Sequence, residues 1–175
     1  MRRLILAIPA LAAAPPALAA MTLASADLTP GAAMPVKHVF PRCGGQNVSP
    51  QLTWGAPPAA ARSLVLTMID QDVKPHLWSH WVVADLPPAA GRFTEGARDL
   101  PPGAHGVTSN FGDLGYAGPC PPPGSGTHHY RFTVWAMPTA HVAISADEKA
   151  DDLQARLAKT ALTHADLTVS VAAKP

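Results

Sequence analysis

Cysteine is nearly absent from this chain. Two in 175 residues can build neither a four-cysteine zinc site nor a disulfide-dense scaffold. Charge is sparse too: Asp, Glu, Lys and Arg make up 14%, and 13 basic against 12 acidic residues leave a formal net charge of +1. That balance provides no electrostatic footprint for nucleic acid. Beyond the N-terminal stretch, no apolar run approaches the roughly 20 residues that span a membrane. There is no internal repeat or linker, so 175 residues and 18.2 kDa read as one domain with a real core. Turn-formers are plentiful: 20 prolines and 13 glycines prevent long helices from dominating. Apolar residues reach 47%, which excludes a disordered tail.

Arg2 and Arg3 precede an apolar run from Leu4 to Ala20 that contains Ala17-Leu18-Ala19. A basic start, an apolar middle and small residues before a cleavage point predict a signal peptide over residues 1–19 and a single domain over 20–175. The run is short and carries Pro9, Pro15 and Pro16, which disfavours a membrane anchor, so no transmembrane segment is expected in the mature form. Export places the protein in the periplasm or outside the cell, where two lone cysteines favour a disulfide over a metal or redox pair. Closing a loop between Cys43 and Cys120 constrains the unfolded chain by up to about 4 kcal/mol. Whether the two meet is left open by the sequence.

Alternating, β-branched runs bounded by turn residues predict strands at Ser63–Asp70, His80–Leu86 and His128–Met137, with shorter ones at Val36–Phe40, Gln51–Trp54 and Asp166–Val171. From Arg92 to Gly126 the composition predicts a long ordered loop. Ser145 with Glu148 reads as a capping box opening one helix, in which Ala150, Leu153, Leu157 and Ala161 form an apolar stripe. The fold class is therefore mostly β, a sandwich or barrel-like arrangement with one late helix as a cover.

Strand alternation sorts the polar residues by face. His128 and Tyr130 head the apolar face of Phe132, Val134 and Ala136; Asp70 ends the face of Leu64, Leu66 and Met68; His80 is placed with Val82 and Ala84. If these strands are neighbours, the polar groups meet at one end of a sheet, beside the glycine-rich segment Gly115–Gly126, whose backbone N–H groups can approach a ligand closely. Imidazoles, a phenol and backbone donors suit a small anion such as phosphate, and an aspartate there can orient a histidine or meet the amine of a zwitterionic headgroup. With His80 or His128 protonated, binding is expected to strengthen as pH falls through about 6–7. His129 beside Arg131 reads as solvated surface, and the four tryptophans as core or pocket wall.

The runs FPRCGGQNVSPQLTW, LTMIDQD, SHWVV and SNFGDLGYAGPCPPPGSGTHHYRFTVWAM follow one another between Phe40 and Met137. Together they resemble the phosphatidylethanolamine-binding protein family, and more closely its bacterial branch, the Raf kinase inhibitor-like proteins. The resemblance implies a large antiparallel sheet packed by a smaller one, a peripheral C-terminal helix, and a small pocket for phosphate-type anions or phospholipid headgroups, without cofactor or metal. It assigns Asp70 and Asp72 to the acidic pair, His80 to the pocket histidine, Pro121 and Pro122 to the pocket wall, and His128 and Tyr130 to the closing His-x-Tyr. It also implies a Cys43–Cys120 bridge. Two departures stand out. The family's Asp-Pro-Asp reads Asp70-Gln71-Asp72, predicting a looser loop, and its arginine between His and Tyr is His129.

Binding without turnover is the leading expectation. Regulation or inhibition of a protein partner, such as a protease, is the alternative. Hydrolysis is less favoured: no Gly-x-Ser-x-Gly motif is present, Ser125 lies in a loop, and His76 with His80 lacks the glutamate of HExxH. A metal hydrolase would draw on His76, His80, His128 and Asp70.

Overall fold

Every residue of Ser63–Asp70 is buried, a pattern that requires cover on both faces of the strand. The computed structural model, which describes residues 20–175, provides that cover. In chain order the strands are β1 (Leu23–Ala24), β2 (Leu52–Trp54), β3 (Ser63–Asp70), β4 (Trp78–Leu86), β5 (Arg92–Phe93), β6 (His105–Gly106), β7 (Thr127–Met137) and β8 (Thr163–Ala172). The one α-helix among the described residues, α1, spans Ala150–Thr160. Five strands form an antiparallel sheet in the order β6-β4-β3-β7-β8, and β1-β2-β5 form a smaller one. The signal-peptide reading falls on residues 1–19, outside the described residues. No described helix is long and apolar enough to cross a membrane.

The main core lies between the sheets. Leu52, Trp54 and Phe93 of the small sheet meet Leu64, Leu66, Met68, Phe132 and Val134 of the large one. On the opposite face Val65, Val82 and Trp135 pack with Leu153 and Leu157 of α1, the stripe expected of a covering helix. The outer edge of β8 is bridged by residues 31–34, with Gly31 N–H donating to the Thr168 carbonyl and Met34 N–H to that of Ser170.

Several local expectations are corrected. The helix begins at Ala150 with Lys149 as N-cap and no side-chain cap. Ser145 instead closes a turn by accepting the Glu148 N–H, and the Glu148 carboxylate is held bidentate by Arg156 at 2.7 and 2.8 Å, so it cannot reach back to the turn. Val36–Phe40 is no strand. Pro35 and Pro41 bracket it, and Val36–His38 forms a 3-10 turn. The long loop carries the two-residue strands β5 and β6.

A bulge changes one assignment that matters for the site. Met68 lies opposite Trp81, but Ile69 lies opposite Ser79, so His80 is an extra residue in β4. Strict alternation would group it with Val82 and Ala84, which pack under α1. The bulge reverses it, and His80 shares the side of Asp70 and Tyr130 instead.

Candidate functional site

At the end of β3, Asp70 is paired across the sheet with Tyr130 of β7 and Trp78 of β4. The carboxylate is 2% exposed, a costly place for a charge unless it is fully hydrogen-bonded. Two partners meet that need. His128 Nδ1 stands 2.7 Å from Oδ2, and the Asp72 backbone N–H donates to Oδ1 at 2.9 Å. Such an arrangement fixes the His128 ring, since a buried imidazole donating from Nδ1 to a carboxylate has one orientation.

Asp70, His80, Tyr130, Pro121 and Pro122 line one cavity of about 320 Å³, completed by Arg42, Val73, Trp78, Phe111 and Cys120. His128 is buried behind Asp70 and is not part of the lining. Asp72 is not part of it either. Its Oδ2 accepts the His129 backbone N–H at 2.6 Å and lies 3.0 Å from the exposed His129 ring. These contacts, with a backbone bond from Gln71 N–H to the His129 carbonyl, tie down the loop that the missing proline was expected to loosen. Proline has no N–H to make that last bond.

His80 donates from Nδ1 to the Ala117 carbonyl at 2.9 Å, and its ring lies 4.8 Å from Phe111 and edge-on to Tyr130 at 5.1 Å. Burial dominates and pushes its pKa down to about 4, so the ring is neutral at physiological pH. The expected strengthening of binding below pH 6–7 is conditional on His80 or His128 being protonated, and a neutral His80 does not meet that condition. Tyr130 moves the other way: burial, aided by the Asp70 charge, raises its pKa and keeps the phenol protonated as a donor.

The wall opposite the sheet comes from two segments held together. Phe40 N–H donates to the Pro119 carbonyl, and Cys43 and Cys120 are bonded, with Cα atoms 5.5 Å apart. Gly118 passes so close to the His38 carbonyl that a Cβ there would sit 2.3 Å from its oxygen, so only glycine fits. Two backbone donors of this segment are already used, Ala117 N–H by the His80 carbonyl and Gly118 N–H by Asn47 Oδ1, so neither is available to a ligand.

Sequence reasoning missed Arg42, Val73 and Phe111 as lining residues. Arg42 had one signal, its place next to a cysteine whose counterpart adjoins Pro121. Among the described residues, no three His, Cys, Asp or Glu side chains are placed to hold a metal ion. His76 lies beside Asp151 and Lys149 on the surface, away from the cavity.

The phosphatidylethanolamine-binding protein family pattern matches residues 24–172. A Mycobacterium tuberculosis protein named as lipoprotein LppC is 43% identical over 125 residues, which is 71% of this chain and 59% of that protein. The chain thus spans about three fifths of that relative's length. YbhB of Escherichia coli is 42% identical over 125 residues, covering 67% of this chain and 78% of its own. Among solved structures, E. coli YbcL, described as a member of the mammalian PEBP family, superposes with a TM-score of 0.78 at 30% identity. That superposition covers 90% of this chain and 99% of YbcL. A Chlamydia trachomatis PEBP homologue, CT736, gives 0.71 at 30% identity, covering 87% and 97%.

Proposed function

Because the chain belongs to the phosphatidylethanolamine-binding protein family, we propose that it is an exported binding protein. Its cavity at the end of β3 takes small phosphate-type anions or phospholipid headgroups and carries out no turnover. The observation that carries this reading is the convergence of Asp70, His80, Tyr130, Pro121 and Pro122 on one cavity of about 320 Å³. The protonated Tyr130 phenol can donate to a phosphate oxygen, while neutral His80, its Nδ1–H held by the Ala117 carbonyl, presents Nε2 as an acceptor for a protonated phosphate oxygen. Asp70 accepts from a protonated phosphate oxygen or from the ammonium of an ethanolamine headgroup. Two or three such contacts at about 1.5–3 kcal/mol each, less several kcal/mol for association, leave a bare phosphate bound at about millimolar strength. Tight binding then requires contacts beyond the headgroup.

Export is supported by the sequence of residues 1–19, by the Cys43–Cys120 bond and by the lipoprotein name of the mycobacterial relative. The decisive experiment is native mass spectrometry of protein purified from its own compartment. It should be paired with titration of phosphate and O-phosphorylethanolamine followed by amide chemical shifts. Retained lipid or phosphorylated metabolite, with shifts around Asp70, His80 and Tyr130, is the expected result. Stoichiometric zinc, or shifts confined to other loops, would refute it.

A second reading, regulation of a protein partner, is favoured by one observation: Trp78 at the cavity is 39% exposed, an indole poised for contact with something outside the chain. A partner captured equally by the wild type and by His80→Ala and His128→Ala variants would select that reading.

A further inference from the structure

We propose that Arg42 is the residue that gives this cavity its preference for anions, and that the Cys43–Cys120 bond is what holds it at the site. The proposal rests on the cavity being the binding site, and it names the group that decides which ligands enter.

Asp70 brings a negative charge, stabilised from behind by His128. The His80 ring is neutral and Tyr130 stays protonated, so neither offsets that charge. These groups hold a phosphate-bearing ligand by polar contacts but supply no positive charge to attract it. Among the described residues Arg42 is the only lysine or arginine lining the cavity, and arginine is charged at any physiological pH. It is exposed to an entering ligand, and among the described residues its guanidinium has no carboxylate partner. Two cations of other loops are already engaged, Lys37 with Asp27 and Glu95 and Arg156 with Glu148. A planar guanidinium also matches a phosphate by paired hydrogen bonds.

Its position follows from covalent structure. Arg42 is the middle residue of the 3-10 turn Pro41–Cys43, entered through Pro41 and closed by Gly44 at a φ of 90°. Cys43, the next residue, is bonded to Cys120, which precedes Pro121 and Pro122 on the same wall. The bond therefore fixes the arginine-bearing turn to the proline wall. Without it, among the described backbone hydrogen bonds, the Phe40–Pro119 one still joins the two segments next to that turn.

The test uses the full mature protein and three probes: inorganic phosphate, O-phosphorylethanolamine, and ethanolamine as the cation alone. Arg42→Gln should weaken both phosphate-bearing probes by about ten- to a hundred-fold, the loss of one or two charge-assisted contacts, and leave ethanolamine unchanged or tighter. Arg42→Lys should restore part of the phosphate affinity, and added salt should weaken the wild type more than Arg42→Gln. Cys43→Ser with Cys120→Ser should cause a similar phosphate loss, with little further loss in the Arg42→Gln background. If the cysteine variant does not fold, thiol reduction of the folded protein replaces it. Phosphate affinity unchanged in Arg42→Gln, or equal losses for phosphate and ethanolamine, would overturn the proposal. A wild type that binds neither phosphate-bearing probe would instead sink the binding-site reading on which it rests.

Discussion

Acid should destabilise this protein in a pH window set by His80. In the unfolded chain the imidazole takes a proton near 6.5; in the folded protein burial delays protonation to about 4. Between those values the unfolded state binds more protons, so stability is complete above about pH 6.5 and falls with pH down to about 4. The difference of 6.5 − 4 = 2.5 pH units, at about 1.36 kcal/mol each, amounts to about 3 kcal/mol, most of it already lost by pH 4.5. Against a total stability of about 5–15 kcal/mol that is a large share. The lowered carboxyls of Asp27, Asp72 and Asp151 also cost stability in acid, but only as pH falls through their ordinary value of 3.8 and below. The two windows therefore separate. Urea titrations at half-unit steps from about pH 7.5 to 4.5 should show the wild type losing about 2–3 kcal/mol that a His80→Gln variant does not lose. His80→Gln will be less stable at neutral pH, because it forfeits the contacts with Phe111 and Tyr130, so the comparison uses slopes and not absolute values. Parallel slopes in the two proteins would refute the assignment of a neutral, buried His80.

Other outcomes follow from the same geometry. Reducing the Cys43–Cys120 bond should lower stability by up to about 4 kcal/mol for a separation of 77 residues, read as a drop in the urea midpoint with and without thiol. Gly118→Ala should destabilise by about 3 kcal/mol or more, since its Cβ meets the His38 backbone carbonyl at 2.3 Å; a near-neutral result in thermal unfolding would show that the strap can shift. Ser145→Ala should change stability by less than about 0.5 kcal/mol, because the helix starts five residues later, whereas a working capping box would cost about 1 kcal/mol. Asp70→Asn should cost about 1–3 kcal/mol by replacing the buried carboxylate that accepts from His128 with a weaker, neutral acceptor, measurable by chemical denaturation at pH 7.

Much of this arrangement was legible in the sequence, and the misses have physical causes. The faces of β3 and β7 followed from alternation because neither strand is interrupted where Asp70 and Tyr130 emerge. For His80 the same rule gave the wrong face, since a bulge is set by pairing with a neighbouring strand and leaves no mark in the strand's own composition. The Ser145/Glu148 motif was a real local signal that lost to Arg156, which lies eight residues beyond Glu148 and competes for the same carboxylate. Val36–Phe40 had strand-like residues, but flanking prolines decided its backbone. Arg42 was invisible as a lining residue because its position depends on a cysteine pairing that spans nearly half the chain.

The extra residue in β4 has an evolutionary corollary. Side chains along a strand point up and down in turn, so the parity of the spacing from Trp81 decides whether position 80 points into a binding cavity or under a helix. Deleting one residue there would leave composition almost untouched, yet it would send an imidazole beneath α1 and withdraw it from the cavity. In such a frame, insertions and deletions count for more than substitutions. A homologue aligned without a gap at this strand should retain the imidazole's place, and one shifted by a single position should have abandoned the cavity's chemistry altogether.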